Sequence, residues 1–186
     1  MGIQKRYVTF FFLSTVLNWL LCCKKGLTET ELLEILDLPH SVWSPLHIAM
    51  DEYIISRSGV LTFFHDYMRQ AVEARYSFPP SSLFIHFYLF LFKFKRYVRN
   101  TSMANQYREK LIAYFSGKTG KDVLPARKCE EVPYQLLRSS NWNALADCIT
   151  DLSMFLLLFT EEYKFDLYRY WQEAVCPPFS SKSCFY

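Results

Sequence analysis

Glycine is scarce in this sequence, with five residues among 186. Tight β-turns depend on the positive φ angles that glycine adopts easily, so a chain with few glycines favours helices. The sequence also lacks a large excess of one charge, because the net charge is +3 and the basic residues are scattered along the chain. A nucleic-acid partner is therefore not expected. The hydrophobic fraction of 51% is that of an ordinary globular protein, and the scarcity of glycine predicts that it is mainly α-helical.

Metal-ligand spacing is absent as well. The six cysteines form no C-x-x-C pair, and none has a histidine at the distance along the chain that a zinc site requires. Free cysteines in helices behave as small hydrophobic residues. We therefore predict reduced thiols, no metal site and a cytoplasmic protein.

The sequence has no uncharged run of full membrane-spanning length. Tyr7–Cys23 carries no charge, but it is short for a span and includes Thr9 and Asn18. Leu83–Phe92 is shorter still, and no small-residue cleavage site of the signal-peptide kind follows the first run. Buried helices are the favoured interpretation of both runs. A small membrane-anchored protein that uses residues 7–23 remains the alternative.

Three helices are predicted near the start of the chain. The first covers about residues 7–24. Thr28 and Glu31 form a capping box that begins the second helix. The third is predicted to start with Ser44 as its N-cap and Pro45 at its first helical position.

A β-hairpin is predicted after these helices. Residues 53–57 and 60–64 are β-prone, and Ser58-Gly59 joins them. Three helices followed by a hairpin are the outline of a winged-helix module, here residues 1–77, in which the hairpin is the wing. The candidate reading helix, residues 45–53, has no Lys or Arg, so DNA binding is not expected.

The remaining chain divides into three predicted segments. Residues 78–100 form an aromatic insert, residues 101–175 a helical bundle, and residues 176–186 a disordered tail. Within the bundle, helices are predicted over about 104–115, 132–138, 142–147, 152–163 and 165–175. Pro133 falls in the first turn of the second of these.

Gly117-Lys118-Thr119 has the ending of a phosphate-binding loop. The full motif needs another glycine where this chain has Ile112, and it needs a preceding strand. The residues before Gly117 are predicted to be helical, so we expect no nucleotide-hydrolysing site in this chain.

His65 and Asp66 follow the predicted wing at the start of a further helix. Adjacent helical residues point about 100° apart, so these two cannot form a catalytic dyad with each other. Asp66 suits the dipole of a helix start. His65 has two interpretations, either a capping or half-buried histidine or a residue that meets an anion.

The residues in this order resemble a known family. GLTETELLEILDLP, RSGVLTFFHDYMRQAVEARY and EEVPYQLLRSSNWNALADCITDL are similar to the winged-helix and helical regions after the NACHT domain of STAND-type NTPases. The resemblance covers about residues 16–76 and 107–172, and is to nephrocystin-type and related proteins with tetratricopeptide or WD repeats. It implies that this chain is a fragment or splice product of such a protein.

The resemblance also implies a function. Phe63-Phe64-His65 matches a Phe-x-His motif whose histidine touches the phosphate of ADP, so His65 is the candidate phosphate sensor. ADP or ATP would bind the longer protein, and no cofactor is expected in this chain alone. We predict a non-catalytic interaction or regulatory module with protein partners. An enzyme that uses His65 is the further alternative.

Overall fold

The computed structural model describes residues 12, 15–66, 69, 101–120 and 123–175. Within these residues the chain is mainly helical, with a small three-stranded antiparallel sheet, which confirms the predicted class. The chain forms two compact units, Met1–Tyr107 and Arg108–Tyr186. The predicted aromatic insert at 78–100 and the predicted tail at 176–186 lie outside the described residues.

The described elements follow one another in a simple order. They are α1 (which includes 12 and 15–22), β1 (Leu27–Thr28), α2 (Glu29–Leu36), α3 (His40–Met50), β2 (Ile54–Arg57), β3 (Val60–Phe63), α4 (Thr101–Phe115), α5 (Pro125–Arg138), α6 (Trp142–Thr150), α7 (Leu152–Leu158) and α8 (Lys164–Val175).

The predicted hairpin is confirmed. Strand β3 pairs with β2 in an antiparallel register that places Arg57 opposite Val60. The two residues between them, Ser58 and Gly59, have φ angles of 52° and 80°. Positive φ at both central positions defines the type I′ turn, whose twist matches that of the flanking strands. Local turn chemistry therefore sets the register of this pair.

Strand β1 adds a third strand that the sequence did not predict. It pairs with the other edge of β3, with Leu27 opposite Leu61, and the strand order is β1-β3-β2. Gly26 precedes it with a φ of 109°, and a Cβ at this position would lie 2.1 Å from the Leu61 carbonyl oxygen. Only glycine allows the backbone this conformation and this approach.

The predicted capping box of α2 is confirmed. The Thr28 hydroxyl accepts a hydrogen bond from the Glu31 amide at 3.2 Å, and the Thr28 amide donates to Glu31 Oε2 at 2.8 Å. Two amides at the helix start are thereby satisfied, which stabilises a helix by about 1 kcal/mol.

The predicted start of α3 is wrong. The helix begins one turn earlier, at His40, and the Pro39 carbonyl accepts from the Val42 amide at 2.9 Å. Pro45 therefore lies inside the helix, where it cannot donate a backbone hydrogen bond. Ser44 is not the N-cap, and its hydroxyl donates to the His40 carbonyl at 2.9 Å.

Two predicted boundaries in the second unit are also wrong. Helix α5 starts at Pro125 rather than at 132, because a proline at the first helical position loses no hydrogen bond. Pro133 lies in its interior. Helix α7 ends at Leu158 rather than at 163.

Each unit has its own apolar core. In the first unit, buried residues come from all three helices and the sheet, among them Leu17, Leu20, Leu32, Trp43, Met50, Ile54 and Leu61. In the second unit they include Leu111, Phe115, Val132, Leu136, Leu145, Ile149, Met154, Leu158 and Leu167.

Candidate functional site

Helix α8 is apolar on two sides. Leu167 and Tyr170 are buried in the second unit, whereas Phe165, Tyr168 and Val175 are 75%, 64% and 65% exposed. The exposed three recur at steps of three and seven residues, so they form a stripe along one face of the helix. A helix that covers a core needs one apolar face, and the second face of α8 has no role in that core.

Helix α7 repeats this arrangement. Its sequence, LSMFLLL, has no charged residue. Met154 and Leu158 are buried, while Leu152, Leu156 and the following Phe159 are 70%, 61% and 67% exposed. Two consecutive helices thus each have a second apolar face. The outward apolar residues are Leu152, Leu156, Phe159, Phe165, Tyr168 and Val175.

Basic side chains flank the outward face of α8. Arg169 follows Phe165 by one helical turn, is exposed, and makes no ion pair within the part of the chain that the structure describes. Lys164 pairs with Glu161, and its ammonium lies 5.4 Å from the centre of the Phe165 ring. The helical period places Glu173 farther from Phe165 than Arg169 is, on the side of the helix toward the buried residues. Arg169 is thus the cationic side chain beside Phe165, and the carboxylates of Asp166 and Glu173 lie about one turn before and after it on the same helix.

Helix α5 carries a buried network of charged and polar side chains. The side chains of this network, Arg127, Glu130, Glu131 and Gln135, are all buried. Arg127 Nη1 donates to Glu130 Oε2 at 2.9 Å and lies 3.9 Å from Glu131 Oε1, while Gln135 Nε2 donates to Glu131 Oε2 at 3.0 Å. Buried ion pairs contribute little net stability but strongly penalise any arrangement that separates them. The network therefore favours one packing of α5 over others.

Three contacts connect this network to neighbouring elements. Tyr163, just before α8, donates its hydroxyl to Glu130 Oε1 at 3.0 Å. Arg108 in α4 donates to Gln135 Oε1 at 3.4 Å, and the Arg127 guanidinium lies 5.2 Å from the centre of the Phe115 ring. Burial raises the pKa of the Tyr163 hydroxyl, and its hydrogen bond to Glu130 raises that pKa further. The hydroxyl therefore stays protonated and remains a donor.

The sequence did not indicate this network. Arg127, Glu131 and Gln135 recur every four residues, a spacing that is usually typical of a solvated helix face. Two residues of the outward set, Phe165 and Val175, mark the predicted bounds of the last helix, but the sequence alone did not separate its two apolar faces.

His65 lies in the bend that follows β3, and its side chain is exposed. Its ring contacts the Phe64 ring edge-on, with centroids 4.2 Å apart. Its carbonyl accepts from the Arg69 amide at 3.4 Å, so a helical turn begins here. Arg69 in turn donates from Nη2 to the Cys23 carbonyl at 3.5 Å, which connects this turn to the end of α1. His65 is thus placed at a helix start on the surface.

The Gly117-Lys118-Thr119 segment ends helix α4. Gly117 has a φ of 79°, its amide donates to the Tyr114 carbonyl at 3.0 Å, and the Lys118 amide donates to the Ala113 carbonyl at 3.0 Å. These two bonds make a Schellman motif, in which the amides satisfy the last carbonyls of the helix. The same amides cannot surround a phosphate, which agrees with the prediction from Ile112.

Chemically reactive groups are few in the described part of the chain. No three His, Cys, Asp or Glu side chains there are grouped so that they could hold a metal ion. Burial raises the pKa of the Cys148 thiol to about 11, against the lowering effect of Lys128, so this cysteine is not a thiolate at neutral pH. Among the described residues, no helix is both long and apolar enough to cross a bilayer.

The chain is similar to segments of much longer proteins. A TPR repeat-containing protein of Dictyostelium discoideum is 32% identical over 163 residues, which are 85% of this chain and 8% of that protein. Mouse nephrocystin-3 is 24% identical over 152 residues, or 79% of this chain and 10% of its own length. Human nephrocystin-3 is 28% identical over 76 residues, or 41% of this chain and 6% of its own length.

Neither of two further comparisons found a relative. No family model matches the chain. No solved structure matches it. The chain spans about a tenth or less of the length of the curated relatives that it does match, one of which is named for its tetratricopeptide repeats.

Proposed function

We propose that this chain is a non-catalytic protein-interaction module that acts within a longer, repeat-containing polypeptide. The observation that carries this proposal is the second apolar face of α7 and α8, with six large side chains between 61% and 75% exposed. Large apolar side chains that share one exposed helix face are typical of a surface that another protein element covers. The proposal places the chain in the cytoplasm, where reduced thiols such as that of Cys148 persist.

Stacked helical layers supply the physical reason. In repeat proteins each helical pair packs against a neighbour on both sides, so its helices are apolar on two faces. Helices α7 and α8 have this property, and the network around Glu130 and Glu131 favours one packing of the α5 helix behind them. A scaffold of fixed geometry costs less conformational entropy when a partner binds.

Cross-linking in cells tests this function. The full chain is expressed with a photoreactive residue in place of Gln172, an exposed position on the outward face of α8, and cross-linked proteins are identified by mass spectrometry. We expect specific cross-linked partners that are lost when Phe165→Asp is added. The matched control, Glu173→Lys, should leave them in place. Equal recovery with and without Phe165→Asp contradicts the function.

We further propose, on the resemblance to STAND-type NTPases, that the first unit serves as a winged helix that helps to hold ADP in the longer protein. What supports this is the order of its elements, with three helices before the hairpin, and the exposed position of His65 at a helix start. A protonated or hydrogen-bonding imidazole at such a position can meet a phosphate.

ADP retention tests the role of His65. In a longer protein that contains this chain and an NTPase domain, His65→Ala should speed ADP release by about tenfold, the effect of one lost charge-assisted hydrogen bond. Asp66→Ala is the matched control and should leave ADP release unchanged. Equal release rates for the His65→Ala variant and the unmodified protein would end the sensor hypothesis.

A further inference from the structure

We propose that the outward face of α8 binds a two-helix unit of the tetratricopeptide kind, through an amphipathic helix with a carboxylate opposite Arg169. This inference rests on the proposed interaction function and names the class of partner. The partner is identified by three features of α8 and its neighbour: the spacing of the exposed apolar residues, the charge beside them, and the second apolar face on α7.

The spacing of the exposed residues fits a helix as the partner. Phe165, Tyr168 and Val175 form a stripe about three turns long on α8. A helix that packs along such a stripe presents its own apolar residues at three- and four-residue steps and buries both sets. An extended strand would instead need a free sheet edge, which α8 does not offer.

The charge beside the stripe fits an acidic partner. Arg169 adjoins Phe165 on the rim, and within the described residues no carboxylate pairs with it. Covering Phe165 partly desolvates this guanidinium, which is costly unless the partner supplies an acceptor. A carboxylate on the rim of the partner helix supplies it as a charge-assisted pair.

The second apolar face on α7 fits a helical pair rather than a single helix. Leu152, Leu156 and Phe159 remain exposed on the helix directly before α8. One added helix covers one stripe, whereas a helix–turn–helix unit offers two helices and is itself stabilised by packing. Tetratricopeptide units have this form, and the Dictyostelium relative is named for them.

Calorimetric titration of the full chain with such a unit tests the inference. The probe is a recombinant segment that carries the tetratricopeptide repeats of the Dictyostelium relative. We expect binding that Phe165→Asp weakens by at least about tenfold, as for a central apolar contact. Arg169→Glu should weaken it by about threefold to tenfold at low salt and less at high salt. Glu173→Lys, which adds positive charge one turn beyond Arg169, is the matched control and should not weaken binding.

Circular dichroism spectra must show that each variant retains its helices. Binding that Phe165→Asp leaves intact overturns the proposed site, and binding that Arg169→Glu leaves intact overturns the acidic partner. If the probe does not bind while the cellular cross-links at the outward face persist, the inference fails and the interaction function stands. If sedimentation shows self-association that Phe165→Asp abolishes, a second copy covers the face and the inference fails.

Discussion

Tyr163 donates its hydroxyl to Glu130 Oε1 across 3.0 Å, which joins the residue just before α8 to the middle of α5. Both side chains are buried, at 9% and 7% exposure. A buried hydrogen bond to a carboxylate is stronger than one to a neutral group, and it is directional. This contact therefore helps to fix where α8 begins, and with it the position of the outward apolar residues on that helix.

Removal of this hydroxyl should destabilise the protein. Tyr163→Phe takes one donor from a buried carboxylate while the ring remains, so we expect the free energy of unfolding to fall by about 1.5–3 kcal/mol. Urea unfolding of the full chain measures the change. The control is Tyr168→Phe, which removes an exposed hydroxyl that accepts a hydrogen bond from Gln172 and should cost under about 0.5 kcal/mol. Equal losses for both variants contradict the structural role of Tyr163.

Arg127 should be costly to replace alone and less costly together with its partner. Arg127→Met leaves the Glu130 carboxylate buried without its 2.9 Å ion pair, and we expect a loss of about 3–5 kcal/mol. Adding Glu130→Met removes one of the two buried carboxylates that lose the guanidinium, the other being Glu131, and should recover part of that loss. A double-mutant cycle by urea unfolding measures the coupling. The exposed pair of Lys164 and Glu161 is the control, with a coupling under about 0.5 kcal/mol.

Alkaline pH should unfold the second unit. Burial raises the pKa of the Tyr163 and Tyr170 hydroxyls above 10.0, the value for an unperturbed tyrosine. Because the folded state holds these protons more tightly, the resulting stability is fully present below pH 10.0 and is lost as the pH rises toward the folded-state pKa values. The free energy of unfolding, measured by circular dichroism from pH 8 to pH 12, should show this loss. It should fall less steeply with pH in the Tyr163→Phe variant. The same dependence on pH in the variant and the unmodified protein contradicts a contribution from the Tyr163 hydroxyl.

Gly26 and Gly59 should respond differently to alanine. Both have positive φ angles, of 109° and 80°, but only at Gly26 would a Cβ meet a backbone atom, 2.1 Å away. Gly59→Ala should therefore cost about 1 kcal/mol from backbone strain alone. Gly26→Ala should cost on the order of 3 kcal/mol or more, because β1 must also move away from β3. Thermal unfolding of the two variants gives the comparison, and similar losses would show that the close approach to Leu61 is unimportant.

Local features of the fold were predictable where a few neighbouring residues decide the outcome. The Thr28 and Glu31 capping box is complete within four residues, and the Ser58-Gly59 turn needs only two residues with positive φ. Prolines are less decisive, because tertiary packing can outweigh their local effect. Pro45 and Pro133 each predicted a helix start, but both lie inside helices. Packing of the flanking residues outweighed the hydrogen bond that each proline removes.

The sequence by itself determined the helical class, the capped start of α2 and the hairpin, because each depends on spacing and turn chemistry within a short segment. Only the tertiary structure decided which polar residues are buried and which apolar residues are not. Nothing local distinguishes Glu131, which is fully buried, from Glu161, which is exposed. In the same way, Leu167 and Phe165 are both large apolar residues of one helix. Only the packing of α8 on its neighbours buries the first and leaves the second exposed.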